Sequence, residues 1–303
     1  MATITITPLH LSGNCTEKQT EQLKASLDEA ARKACETALD QLDQKRLQAV
    51  LDLNQNLQAK LIETVVEIIH GFAISDKYQD EQVSSVRNYP PTYKVRPIEA
   101  QVTELRKLFP ALGPCLEKLG RRPLPAGAEG WFALPRWQAL APSYNEAVEM
   151  AVAAIASRRR FSNRLVGRVG ATFLRQSERS KLAEDILAGQ QPDQDILVIP
   201  AQAGMLHRGC SARRARVIME VNEFALGVFA TASILLTHPE RISTPDTLMI
   251  DCGGDEYSFR GNHSFDRVPL FDFDIGGIEF SVFYEDRARN LWGTPSAFVC
   301  KFS

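Results

Sequence analysis

Between residues 248 and 284 one eight-residue pattern occurs twice, as Asp251-Cys252-Gly253-Gly254-Asp255-Glu256-Tyr257-Ser258 and as Asp274-Ile275-Gly276-Gly277-Ile278-Glu279-Phe280-Ser281. Both copies read Asp-x-Gly-Gly-x-Glu-aromatic-Ser amid alternating apolar residues, the pattern of a β-hairpin closed by a two-residue turn. Two such hairpins in tandem commit the end of the chain to antiparallel sheet. With both glycines at the turn, Cys252 faces Asp255, Asp251 faces Glu256, Ile250 faces Tyr257 and Leu248 faces Phe259. The second copy then has Phe271, Phe273, Ile275, Ile278, Phe280 and Val282 on one side and Asp272, Asp274, Glu279 and Ser281 on the other. Each hairpin sets an Asp across from a Glu. Like charges about 5 Å apart repel by roughly 0.8 kcal/mol in water and roughly 3 kcal/mol at an effective dielectric near 20, so in a cleft they call for a cation.

That cation has two candidate sources. A divalent metal held by Asp251, Glu256, Asp272, Asp274 and Glu279 would make the chain a metal-assisted hydrolase or phosphoryl-transfer enzyme. The other source is upstream arginine, the first expectation. Residues 158–181 carry Arg158, Arg159, Arg160, Arg164, Arg168, Arg175, Arg179 and Lys181 against the single acid Glu178, whereas 246–286 carry ten acids against two bases. The two segments can neutralise each other across an internal interface, or the basic run can face a polyanion such as nucleic acid.

A second anion site is suggested where Ile196-Leu197-Val198-Ile199 reads as a buried strand and Ser211 as a helix N-cap. His207, Arg208, Arg213, Arg214 and Arg216 crowd that helix start, where cations are unfavourable unless an anion or an internal carboxylate offsets them. No phosphate-loop or dinucleotide fingerprint accompanies them, so no cofactor is expected beyond the divalent cation. The helix is expected to run from Ser211 through Phe224 and Val228 to about Thr237.

Residues 14–70 contain neither Gly nor Pro and are rich in Ala, Leu, Gln, Glu and Lys, which predicts helix. Leu23, Leu27, Ala30, Ala34 and Ala38 make one apolar stripe, and Leu53, Leu57, Leu61 and Val65 another. A single helix of this length spans about 85 Å, against a radius of gyration near ~19 Å for a globule of this chain length. It therefore folds back near 40–46 or projects as a coiled-coil-like arm, and an arm implies a protein partner or a second copy of the chain.

Pro90, Pro91 and Pro97 mark residues 75–97 as extended linker. The expected organisation is a helical region over 1–74 with a short leading strand at 3–7, the linker, and a mixed domain over 98–303. Within it, Ile98, Val102, Leu105 and Leu108 predict a helix, Trp131 to Pro135 a strand, Ser143 with Glu146 a capping box, 182–187 a helix and 297–302 a last strand pairing with the hairpins or with 3–7. The fold class is α+β, with a mostly antiparallel sheet.

Six cysteines at 15, 35, 115, 210, 252 and 300 show no metal-binding spacing and read as free thiols of a reducing compartment. The longest apolar run, 224–236, is too short to span a bilayer. A cytoplasmic chain without a membrane span is expected. Its function reads first as non-catalytic binding or scaffolding, with the metal-assisted enzyme and a purely structural module of a larger assembly as alternatives.

Overall fold

A computed structural model describes residues 17–39 and 77–300. The strand expected at 3–7, the fold-back at 40–46 and the apolar stripe at 53–65 lie outside the described residues. The chain divides into two units, Met1–Val66 and Glu67–Ser303.

Of the first unit the structure describes one helix, α1 (Glu17–Leu39). Its charges pair along the helix: Lys24 with Glu21 at 3.2 Å, Arg32 with Glu29 at 2.9 Å and with Glu36 at 2.5 Å, and Lys33 with Glu29 at 3.2 Å. These i,i+3 and i,i+4 pairs each stabilise an isolated helix by only about 0.2–0.5 kcal/mol. None of its described side chains is buried.

The second unit is α+β. Its helices are α2 (Ile98–Leu108), α3 (Tyr144–Ala156), α4 (Glu178–Gln190), α5 (Ala212–Ile218) and α6 (Val228–Thr237). Three open on serine caps: Ser143 accepts from the Glu146 amide at 3.3 Å, Ser177 from Ser180 at 3.3 Å and Ser211 from Arg214 at 2.9 Å. All ten residues of α6 are buried. A helix apolar on every side belongs in an interior, and α6 is the axis on which the unit is built, with Val228, Phe229, Ala232, Leu235 and Leu236 facing one core and Ala230 and Ile234 another.

One sheet is four-stranded and antiparallel, in the order β1 (Gly130–Pro135), β4 (Ile196–Gln202), β11 (Ser296–Phe298), β5 (Glu223–Ala225). Two buried glutamines complete its ladder where strands are missing. Gln101 of α2 accepts from the Ala133 amide at 2.9 Å and donates to the Trp131 carbonyl at 2.9 Å, while Gln191 accepts from Val198 N–H at 2.9 Å and donates to its carbonyl at 3.1 Å. Each side-chain amide does the work of a neighbouring peptide group, so the buried backbone is satisfied.

The second sheet is mixed. Its centre is the hairpin of β8 (Arg267–Asp274) and β9 (Gly277–Tyr284). On one flank of β8 lie both β6 (Met249–Asp251) and β7 (Asp255–Tyr257), with β10 (Trp292–Gly293) parallel to β6 and β3 (Leu174–Gln176) antiparallel to β7. Beyond β9 runs β2 (Phe161–Asn163), in parallel.

Four expectations are corrected. The first Asp-x-Gly-Gly copy is not a hairpin: Asp251 pairs with Leu270 and Tyr257 with Arg267, so the two strands follow one another along β8. Its glycines serve close approach instead of a turn. Gly254 donates to the Leu226 carbonyl at 3.0 Å and accepts from Ser177 at 2.8 Å, and a Cβ there would stand 2.4 Å from the Ala225 carbonyl oxygen and the Gly227 nitrogen.

The second copy is a hairpin, shifted by one residue. Its turn is Ile275-Gly276, with φ of 43° and 79°, the two left-handed residues of a type I′ turn. Asp272 rather than Asp274 therefore faces Glu279. Gly277 is in the strand because a Cβ would meet the Arg160 carbonyl at 2.5 Å, where β2 crosses.

The long helix expected from Ser211 breaks into α5 and α6. Residues 223–225 pair with β11 between them, because an apolar run alone does not separate buried helix from buried strand. The last strand pairs with β4 and β5, away from the hairpin.

Residues 77–97 are part of the second unit. Tyr89 donates to Glu129 at 2.7 Å and accepts from the Met205 amide at 2.9 Å, and its ring lies 4.4 Å from the guanidinium of Arg241. Arg241, fully buried, spends its donors on the Ala203 and Leu248 carbonyls, both at 2.6 Å.

Candidate functional site

The placement of β2 against β9 and β3 against β7 brings the basic run onto the acidic sheet. Arg164 donates to Glu279 at 2.8 Å and Arg175 to Glu256 at 2.7 Å. Arg158 meets Glu104 at 2.6 Å, and the hydrogen bond from Arg158, together with Lys107, holds the Glu104 carboxyl below its ordinary range. Backbone carbonyls take three more: Arg159 reaches Pro239 and Ile242 at 2.8 and 2.6 Å, Arg168 reaches Phe259, and Arg179 reaches Met219 and Glu220. Arg160 and Lys181 have no side-chain hydrogen bond or ion pair among the described residues. Ion pairs as exposed as Arg164–Glu279 contribute little to stability; their consequence is that these guanidiniums are already occupied.

The second arginine set is occupied as well. His207 is buried, its Nε2 at 2.7 Å from Glu223 Oε1, and Ser296 also donates to that carboxylate. Arg208 turns to Asn88 at 3.1 Å, Arg213 forks onto Glu81, and Arg214 donates to the Lys77 carbonyl at 2.6 Å. Arg216 bonds Glu285 at 2.5 Å and the carbonyls of Gly253 and Asp255 at 2.7 and 2.9 Å. Its guanidinium thus clasps the peptide groups on either side of Gly254.

The five carboxylates weighed as metal ligands have different partners, and Asp272 pairs directly with Glu279 across the hairpin. Glu256 and Glu279 are arginine partners. Asp251 is buried on the same sheet face as Asp272, and burial pushes its carboxyl up to about 7 against the opposing fields of Arg289 and Arg216. Asp272 is also raised by burial, and it accepts from the Phe273 amide at 2.7 Å. Asp274 faces Gly277 at the turn. Among the described residues no three His, Cys, Asp or Glu side chains converge as a metal-binding group.

The most constrained carboxylate is one the pairing argument left at the end of an apolar face. Asp255 is buried, accepts from the Val228 amide at the start of α6 at 2.7 Å, and accepts from Tyr144 of α3 at 2.8 and 2.9 Å. It does for α6 what the glycine at its N-cap, Gly227, has no side chain to do. Burial pushes Asp255 up to about 7 despite these donors.

Near it, Glu184 of α4 lines a small cleft of about 60 Å³, together with Leu134, Leu197, Phe229, Lys181 and Arg136. Burial pushes Glu184 up to about 7, the charge of Asp255 acts in the same sense, and a 2.8 Å hydrogen bond from Gln176 opposes both. A carboxyl raised in this way is chemically suited to exchanging a proton. Sequence reasoning passed over Glu184, Tyr144 and Arg241. Only Glu184 had a visible signal, since its spacing places it, half-buried, beside Ser180, Ala183 and Leu187 on the inward face of α4. Among the described residues no helix is long and apolar enough to cross a membrane. The chain matches no protein-family model, no curated protein and no solved structure.

Proposed function

We propose that this chain is a non-catalytic binding or scaffold protein that self-associates through its N-terminal helices. The observation that carries the reading is the exposure of α1. Leu23 is 48% exposed, and it shares its stripe with Leu27 and Ala30, none of which is buried. A 23-residue helix in water is marginal on its own propensity and draws most of its stability from burying an apolar face. A second copy of the same mixed-charge helix offers that face.

Two further observations favour binding over catalysis. Apart from Arg160, the arginines of both clusters are engaged by internal carboxylates, carbonyls and Asn88, so few are free to grip a substrate. Asp255 holds a helix start instead of facing a cleft. Light scattering of the full chain after size exclusion is the direct test: a mass at or above twice that of the chain supports the reading, and a single monomer mass at all concentrations contradicts it.

A further inference from the structure

Along one end of the second sheet, aromatic rings and arginines alternate. The Arg168 guanidinium lies 5.5 Å from the Phe173 ring centre and 4.7 Å from that of Phe259, and the Arg267 guanidinium lies 6.0 Å from Phe259 and 3.1 Å from Tyr284. Beside this row Arg175 covers Phe265 at 3.8 Å. The arrangement follows from the register. Arg267 and Tyr284 are directly paired across the hairpin, Phe259 follows β7 on the opposite flank, and Arg168 is drawn in by its bond to the Phe259 carbonyl. Five side chains from four segments thus form one continuous row.

Two of those rings remain open to solvent. Phe259 and Tyr284 are each 46% exposed although guanidiniums brace them. Flat, braced and exposed rings beside positive charge are what a stacking platform for nucleobases requires, because every base has a π-face and stacking tolerates any sequence. Arg260, adjacent to Phe259, is exposed and has no side-chain partner among the described residues, so it is placed to take a phosphate.

We infer that this arginine–aromatic row is a binding surface for single-stranded nucleic acid, with bases stacked on Phe259 and Tyr284 and the backbone met by Arg260. Duplex is excluded as the natural ligand, since its base faces are already covered by their neighbours. An acidic peptide fits less well because the forks of Arg175 and Arg267 are committed to Glu256 and Asp266, at 2.7 and 2.9 Å, while the rings stay free. Affinity resting on rings more than on charges depends only shallowly on salt, by a log–log slope of about −0.7 for each phosphate neutralised.

The test is fluorescence anisotropy of labelled oligo(dT) titrated with the full chain over a salt series. Phe259→Ala and Tyr284→Ala are each expected to weaken binding about fivefold or more. Phe259→Leu, which keeps apolar bulk without a flat ring, is expected to weaken it likewise, and guards against a trivial loss of fold. Arg260→Gln is expected to flatten the salt slope by about 0.7. Failure of oligo(dT) to bind at low salt overturns the inference. So does affinity unchanged in all three ring variants, equal binding of duplex, or displacement of the oligonucleotide by poly-glutamate.

Discussion

Asp255 offers the sharpest mutational test, because its partners and its titration make separate demands. Replacing it with Ala removes the acceptor for the buried Val228 amide and the part-buried Tyr144 hydroxyl. Each donor left unsatisfied costs about 1–3 kcal/mol, so the Ala variant, which leaves two, is expected to lose about 2–6 kcal/mol. Asp255→Asn keeps one carbonyl acceptor and is expected to lose less, about 1–2 kcal/mol near neutral pH. The charge acts through pH. Burial raises the folded-state pKa from 3.8 to about 7, so between those values the native protein holds a proton that the unfolded chain releases. Stability from this group is fully present below about pH 4 and is lost as pH rises toward about 7. The Asn variant has no such proton to lose. Urea unfolding of wild type and Asp255→Asn at about pH 5 and about pH 8 should therefore show the wild-type advantage shrinking by on the order of 2–3 kcal/mol as pH rises. Asp251, raised in the same direction, cancels in that difference; Glu184, which the Asp255 charge helps to raise, titrates lower in the Asn variant and cancels only in part. An Ala variant losing under ~1 kcal/mol, or a gap that widens with pH, refutes the reasoning.

Ile275 holds a left-handed φ of 43° in the hairpin turn while 73% exposed, so Ile275→Asn, which creates the favoured Asn-Gly turn, is expected to stabilise by about 1 kcal/mol in thermal or urea unfolding. Gly254→Ala forces a methyl group onto backbone atoms 2.4 Å away and is expected to cost about 3 kcal/mol or more; a loss within ~0.5 kcal/mol, the range of ordinary surface changes, would mean that the segment is not held where it is described. Gln101→Leu fills similar volume but strands the Ala133 amide and the Trp131 carbonyl. It is expected to lower stability by about 2–4 kcal/mol by the same measurement.

Local signals were legible in the chain. The serine caps at 143 and 211, the apolar spacing of α2, and the strand at 196–199 follow from residues within one turn or one strand of each other, and the structure has them where expected. The face assignment of the second hairpin also holds for its strand residues, because strand periodicity survives a one-residue shift of the turn, but Ile275, expected on the apolar face, is an exposed turn residue. What was illegible depends on distant backbone. Whether Gly253-Gly254 turns or packs is decided by the segment at 225–227, and whether Gly276-Gly277 turns as a pair is decided by β2 crossing at Arg160. Nothing near either glycine pair encodes these neighbours. The arginine–acid balance was visible as two opposite charge runs, but the pairing of Arg164 with Glu279 and Arg175 with Glu256 needed the register of β2 and β3. Arg241 carried no pattern at all, since its acceptors are carbonyls, which every residue has.

Self-association is assigned to α1, none of whose described apolar side chains is buried. Sedimentation velocity of the full chain over a range of concentrations, beside the Leu23→Glu, Leu27→Glu double variant, tests this most directly. Both positions belong to an exposed or half-exposed stripe, so the substitutions leave the second unit intact, which circular dichroism can verify. The expected result is a concentration-dependent larger species for the wild type and a monomer for the variant. Identical sedimentation of the two, whether both monomeric or both associated, would contradict the assignment of α1 as the contact.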